Sequence, residues 1–125
     1  VLGHMRNNVQ SYKKMKSLEE RLQESTIMIE KYPNTVPVIV EQPQGTCTLP
    51  PMDKKKFLVP KELQLGRYIS VIRKRMSITP IQAIFVFVGK NILPRHSDTM
   101  GNIYNAHKDE DGFLYITYNG ENTFG

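Results

Sequence analysis

The chain has 125 residues, 39% apolar, with 6 Tyr and 5 Phe, which suits one compact domain and excludes wholesale disorder. Lys plus Arg is 17 against 12 for Asp plus Glu, a net +5 that permits nucleic acid, anionic membrane or acidic peptide as partner and selects none of them. A single Cys excludes a disulfide framework and a Cys-based zinc site and fits a reducing compartment.

The opening Val1-Leu2-Gly3-His4-Met5 looks like an expression-tag remnant and is left out of functional argument. Residues 6–16 are polar and basic, with Val9, Tyr12 and Met15 as sparse apolar residues. They read as a short, weakly held helix or arm, and Lys13, Lys14 and Lys16 as solvated. Ser17 with Glu20 three residues later matches a capping box, in which each residue's side chain satisfies an orphan amide of the other. Leu18, Leu22 and Ile29 then fall on one helical face, and Pro33 ends the helix.

Val36 to Glu41 is β-branched and strand-like, with Pro37 expected at the strand start because it cannot donate to a ladder. Residues 42–51 read as loop, with Pro43, Gly45, Pro50 and Pro51 as breakers. Lys54 to Val59 reads as a second strand stopped by Pro60, antiparallel to the first. Leu65, Tyr68, Ile69, Ile72 and Met76 form the clearest amphipathic stripe in the chain, with Arg67, Ser70, Arg73 and Lys74 on its wet face and Val71 off the stripe. Ala83 to Val88 is almost wholly apolar, as a strand buried on both faces should be. Met100, Ile103, Tyr104 and His107 predict a short helix capped by Asp98 or Thr99. Phe113 to Tyr118 is a fourth strand, and 119–125 a polar tail.

The order is helices, then β-β-α-β-α-β. This predicts an α+β fold, a ubiquitin-like β-grasp with a four-stranded mixed sheet and two additional N-terminal helices. The expected division is a helical segment at 6–32, a ubiquitin-like domain at 33–118 and a flexible tail at 119–125.

Several stretches go beyond fold class: Lys31-Tyr32-Pro33 leading into Val36 to Glu41; Asp53 to Pro60; Ile72-Arg73-Lys74-Arg75; Thr99-Met100-Gly101; Asp111 to Tyr115; and the ending Glu121-Asn122-Thr123-Phe124-Gly125. In this order and spacing the chain resembles the autophagy ubiquitin-like modifiers, the family of the GABA-receptor-associated protein and the microtubule-associated-protein light chains. The resemblance runs over roughly 17–125. The chain differs from many members at Thr35, Leu18 and the loop from Cys47 to Met52, which bears on partner preference.

The resemblance implies a modifier, not an enzyme, with no cofactor. A cysteine protease trims the precursor, an E1-like enzyme activates the terminal glycine with ATP, and an E2-like enzyme passes it to phosphatidylethanolamine. The lipidated form on the autophagosome recruits cargo receptors through short aromatic-x-x-aliphatic motifs. The protein is expected in the cytoplasm, on the autophagosome membrane when lipidated, and in vacuole or lysosome on turnover. The reactive group is then Gly125, whose lack of a side chain lets it pass through narrow enzyme clefts; its position alone does not say so.

The resemblance places an aromatic-accepting pocket at Glu24, Met28, Pro37, Ile39, Lys56, Leu58 and Phe113. It places an aliphatic-accepting pocket at Phe57, Val59, Pro60, Leu63, Tyr68 and Val71. By pattern alone Ile39, Leu58 and Phe113 read as plain core. Lys54 and Arg75 are expected to meet acidic residues flanking the motif. Cys47 reads as a bystander thiol, and His96 and His107 lack ligand spacing. Two other readings stand beside this one: an unconjugated ubiquitin-like interaction domain, and a basic nucleic-acid module. The second wants aromatics among arginines on an exposed sheet face, whereas the aromatics here lie mostly in apolar strands, so nucleic acid is not expected.

Overall fold

The structure, a computed structural model, describes residues 11–122 and the backbone at 5 and 6. A four-stranded sheet is built from β2 (Thr35–Glu41), β4 (Lys56–Pro60), β5 (Phe85–Val88) and β6 (Leu114–Asn119) in the order β4-β2-β6-β5. The central pair β2 and β6 is parallel, and both outer pairs are antiparallel. The predicted mixed sheet is therefore present.

The sheet carries helices on both faces. Alternation along β2 and β6 sends Val36, Val38, Val40, Leu114, Ile116 and Tyr118 to one face. There they pack with Leu65, Tyr68, Ile69, Ile72 and Met76 of α3 (Leu65–Met76) and Met100, Ile103 and Tyr104 of α4 (Met100–His107). The stripe read in α3 is the buried stripe, and Thr99 caps α4 by accepting from the Asn102 amide. Ile39 and Phe113 turn to the other face, under α1 (Tyr12–Met15) and α2 (Leu18–Lys31).

Pro37 is the third residue of β2, not its first. The Val40 amide donates to the Lys55 carbonyl across the β2–β4 ladder. Alternation then aims the Pro37 nitrogen at β6, whose pairing starts only at Val38, so no ladder bond is lost. β5 starts at Phe85, two residues later than expected, and lies at the sheet edge, although Val86, Phe87 and Val88 are buried. The loop after β2 holds a two-residue strand, β3 (Thr46–Cys47), paired with β1 (Met5–Arg6).

The expected face of α2 is corrected. The capping box is formed, with Ser17 and Glu20 exchanging bonds. Leu18 and Leu22, however, remain 39% and 41% exposed, and the residues that α2 buries are Arg21 and Ser25. The cause is Asp111, fully buried where the chain enters β6. Its carboxylate accepts from the Arg21 guanidinium at 2.5 Å, the Tyr115 hydroxyl at 2.6 Å and the Phe113 amide at 2.9 Å. Its carbonyl accepts from the Ser25 hydroxyl at 2.6 Å. A buried carboxylate without such partners would cost several kcal/mol, so the helix turns its polar side inward. Gly112, at φ +86, makes the close approach possible: a Cβ there would lie 2.4 Å from the Ser25 Oγ.

The basic arm is likewise not solvated. Lys13 pairs with Asp109 at 2.5 Å and lies 4.8 Å from the Tyr115 ring centroid, and Lys16 pairs with Glu24. The strand read as ending at Tyr118 runs on through Asn119, which is buried. Its side-chain oxygen accepts from the Thr48 amide, tying the 46–48 segment to β6.

Urea denaturation tests the corrected face. Arg21→Ala, which strands a buried carboxylate, should destabilise the fold by about 3–5 kcal/mol. Leu22→Ala should cost under about 1 kcal/mol. The reverse order would restore the apolar-face reading.

Candidate functional site

The candidate site is the outer edge of β4. This strand pairs with β2 alone. Because Lys55 accepts from Val40, alternation turns the backbone of Lys55, Phe57 and Val59 toward β2 and that of Lys56 and Leu58 outward. The side chains alternate as well. Phe57 and Val59 face α3, while Lys56 and Leu58, opposite Ile39 and Pro37 in the ladder, face α2.

The α2 side brings together the residues named for the aromatic pocket. Ile39 and Phe113 are fully buried floor, and Met28 packs partly against them. Glu24 takes a salt bridge from Lys56, another from Lys16 at 3.2 Å, and a hydrogen bond from the Tyr12 hydroxyl. Tyr12 was read only as a sparse apolar residue of a weak arm, yet it is a buried centre of this side. Its ring meets Phe113 edge-on at 5.6 Å, and its amide donates to Glu41 at 2.6 Å. An aromatic residue amid lysines was its one sequence signal. Burial raises the Glu41 carboxyl above its ordinary range, with Lys55 only partly opposing the shift.

The α3 side holds the residues named for the aliphatic pocket. Phe57 meets Tyr68 edge-on at 6.3 Å, Val59 is buried, and Pro60 is exposed. Leu63 and Val71 line a groove of about 420 Å³ together with Arg67, Ser70 and Lys74, which had been read only as a wet face. Val71, 45% exposed, is available at the surface as its place off the stripe implied. Lys54 and Arg75 lie 5.2 and 5.3 Å from the Phe57 ring centroid, within cation–π range, and Arg75 also reaches Asp53 at 3.1 Å. The Tyr68 hydroxyl is buried with no hydrogen-bond partner, and burial pushes its ionisation well above the ordinary phenol range.

Little else offers chemistry. Cys47 is buried, and burial raises its thiol, the opposite of what a nucleophile needs. Among the described residues no cluster of His, Cys, Asp and Glu is placed to hold a metal, and no helix is long and apolar enough to cross a membrane. Gly125 lies outside the described residues.

Comparison with known proteins agrees with this geometry. The chain folds as a solved Atg8 does: the crystal structure of Trypanosoma brucei ATG8 superposes with a TM-score of 0.83 at 36% identity, covering 94% of this chain and all of that one. A family model described as autophagy protein Atg8, ubiquitin-like, matches residues 20–125. Autophagy-related protein 8a of Arabidopsis thaliana is 53% identical over 115 residues, 92% of this chain and 93% of that protein. Autophagy-related protein 8 of Mycosarcoma maydis is 48% identical over 92% of this chain and 96% of its own length. The chain belongs to the Atg8 family of ubiquitin-like autophagy proteins.

The orphan hydroxyl gives a test of the α3 side. Tyr68→Phe removes an unsatisfied buried donor and keeps the ring against Phe57. Stability in urea should be unchanged or raised by up to about 1 kcal/mol. A loss of more than that would mean the hydroxyl has a partner.

Proposed function

We propose that the chain is a conjugated modifier and peptide-docking adaptor rather than an enzyme. The observation that carries this is the outward backbone of Lys56 and Leu58 on an edge strand with a helix over each face. An extended guest adds to such an edge by backbone pairing, and its alternate side chains supply specificity. An aromatic and an aliphatic residue three positions apart leave an extended strand on opposite faces, because side chains alternate with a period of two. One then goes to the α2 side, against Leu58 and Met28 above the Ile39 and Phe113 floor. The other goes to the α3 side, against Phe57, Leu63, Tyr68 and Val71. Lys54 and Arg75 meet acids preceding the motif.

Gly125 is the conjugation handle in this reading, activated by an E1-like enzyme with ATP, carried on an E2-like thiol and transferred to phosphatidylethanolamine. A cysteine protease processes the precursor and releases the lipid. Membership of an autophagy family supports this placement, with the lipidated form on the autophagosome membrane and the free form in the cytoplasm.

Two measurements test the two halves. Titration calorimetry with an aromatic-x-x-aliphatic peptide should give micromolar affinity, about −8 kcal/mol. Leu58→Ala should weaken it by roughly 1–3 kcal/mol. Unchanged affinity with the fold intact would refute the pocket assignment.

In a lipidation assay with the activating and conjugating enzymes, ATP and phosphatidylethanolamine liposomes, Gly125→Ala should be slowed about 100-fold or more, since a misplacement near 1 Å at the reacting carbon has that effect. Its stability and peptide affinity should match the parent chain. A variant lipidated at the parental rate would remove Gly125 as the handle.

A further inference from the structure

The groove on the α3 side extends past the aliphatic pocket. Leu63 and Val71 are its apolar part, and Arg67, Ser70 and Lys74 are the remainder. Arg67, Ser70, Val71 and Lys74 stand at i, i+3, i+4 and i+7, a single exposed strip of α3. Both cations lack an acid partner. The salt bridges among the described residues engage Lys13, Lys16, Arg21, Lys55, Lys56 and Arg75, and neither Arg67 nor Lys74.

From this geometry we infer that the strip is a third subsite, which takes acidic side chains following the aliphatic residue of a docked peptide. The inference rests on the peptide-docking reading and deepens it. The aromatic pocket lies beside Lys56 and Leu58, and the aliphatic pocket beside Val59, Leu63 and Val71. A guest entering them in that order therefore runs toward Pro60, and its continuation leaves over Leu63 onto the outer face of α3. Arg67 and Lys74 are seven residues apart on the helix, about 10 Å along its axis. Three extended residues cover about that length. A guest with carboxylates at two places in this stretch reaches both cations, and the Arg67 fork suits bidentate pairing. Apolar Val71 between them fits a guest segment that is amphipathic and not merely acidic.

The test is fluorescence anisotropy with three labelled peptides. They share one aromatic-x-x-aliphatic core and differ in a following tail of Glu, Gln or Lys. On the parent chain the Glu tail should bind roughly threefold to tenfold more tightly than the Gln tail, the yield of two exposed ion pairs, and the Lys tail more weakly than either. The Glu gain should shrink as salt rises. Arg67→Gln with Lys74→Gln should abolish the gain and leave Gln-tail affinity within about twofold, as two exposed substitutions allow. Leu58→Ala should weaken Glu and Gln tails alike and preserve their ratio. Equal affinity for Glu and Gln tails on the parent chain, or a gain that survives in the double variant, would overturn the third subsite alone. Failure of every peptide to bind the parent chain would overturn the docking reading and the subsite with it.

Discussion

Much of this molecule depends on one buried carboxylate. Asp111 lies at the turn into β6 and binds Arg21, Tyr115, the Phe113 amide and, through its carbonyl, Ser25. It thereby fixes three things together: the seat of α2 on the sheet, the inward aim of Phe113, and the line from Arg21 along α2 to Glu24 and Met28. A helix held only by Leu18 and Leu22 would roll to bury them and carry Glu24 away from Lys56. The polar lock costs desolvation, and replacing a buried ion pair with apolar side chains is often neutral or stabilising. What it supplies here is a single orientation for α2.

The second constraint is that β4 has only one neighbour. An open edge invites uncontrolled pairing, and lysines on it are a common defence. Lys54, Lys55 and Lys56 serve that end while leaving the outward backbone of Lys56 and Leu58 accessible to a guest. The opposite edge is treated differently. β5 is four residues long, and Val88 is closed by a return bridge to Ile92. The sheet thus has one edge partly covered by its own chain and one flanked by helices on both faces.

How much of this was legible from residue order follows from the range of each interaction. Helix α3 was plain because Leu65, Tyr68, Ile69, Ile72 and Met76 are apolar and buried on one side. The Ser17–Glu20 capping box was plain because both partners lie within one turn. The buried face of α2 was not, because burying Arg21 makes sense only beside Asp111, ninety positions further on. Tyr12 failed in the same way, its partners being Glu24, Glu41 and Phe113. The two-residue strands β1 and β3 are too short to show any period. For the site, family resemblance named the pocket residues. Which face of β4 each pocket occupies came only from the register with β2, and the Arg67–Lys74 strip only from the groove.

The two faces of β4 are equipped unequally, and this gives the edge a direction. On the α2 side the charges are already engaged: Glu24 is held by Lys56, Lys16 and Tyr12 above an apolar floor. On the α3 side the surface is apolar around Phe57 and Tyr68. The cations there are either stacked on Phe57, as Lys54 and Arg75 are, or without an acid, as Arg67 and Lys74 are. Backbone pairing alone accepts a guest in either orientation and slips by two residues at little cost. A floor on one face that takes a flat ring, and an apolar groove on the other bounded by unpaired cations, penalise the reversed and slipped alternatives. Specificity in such a site then lies less in the ladder bonds, which any extended peptide can make, than in this difference between the faces.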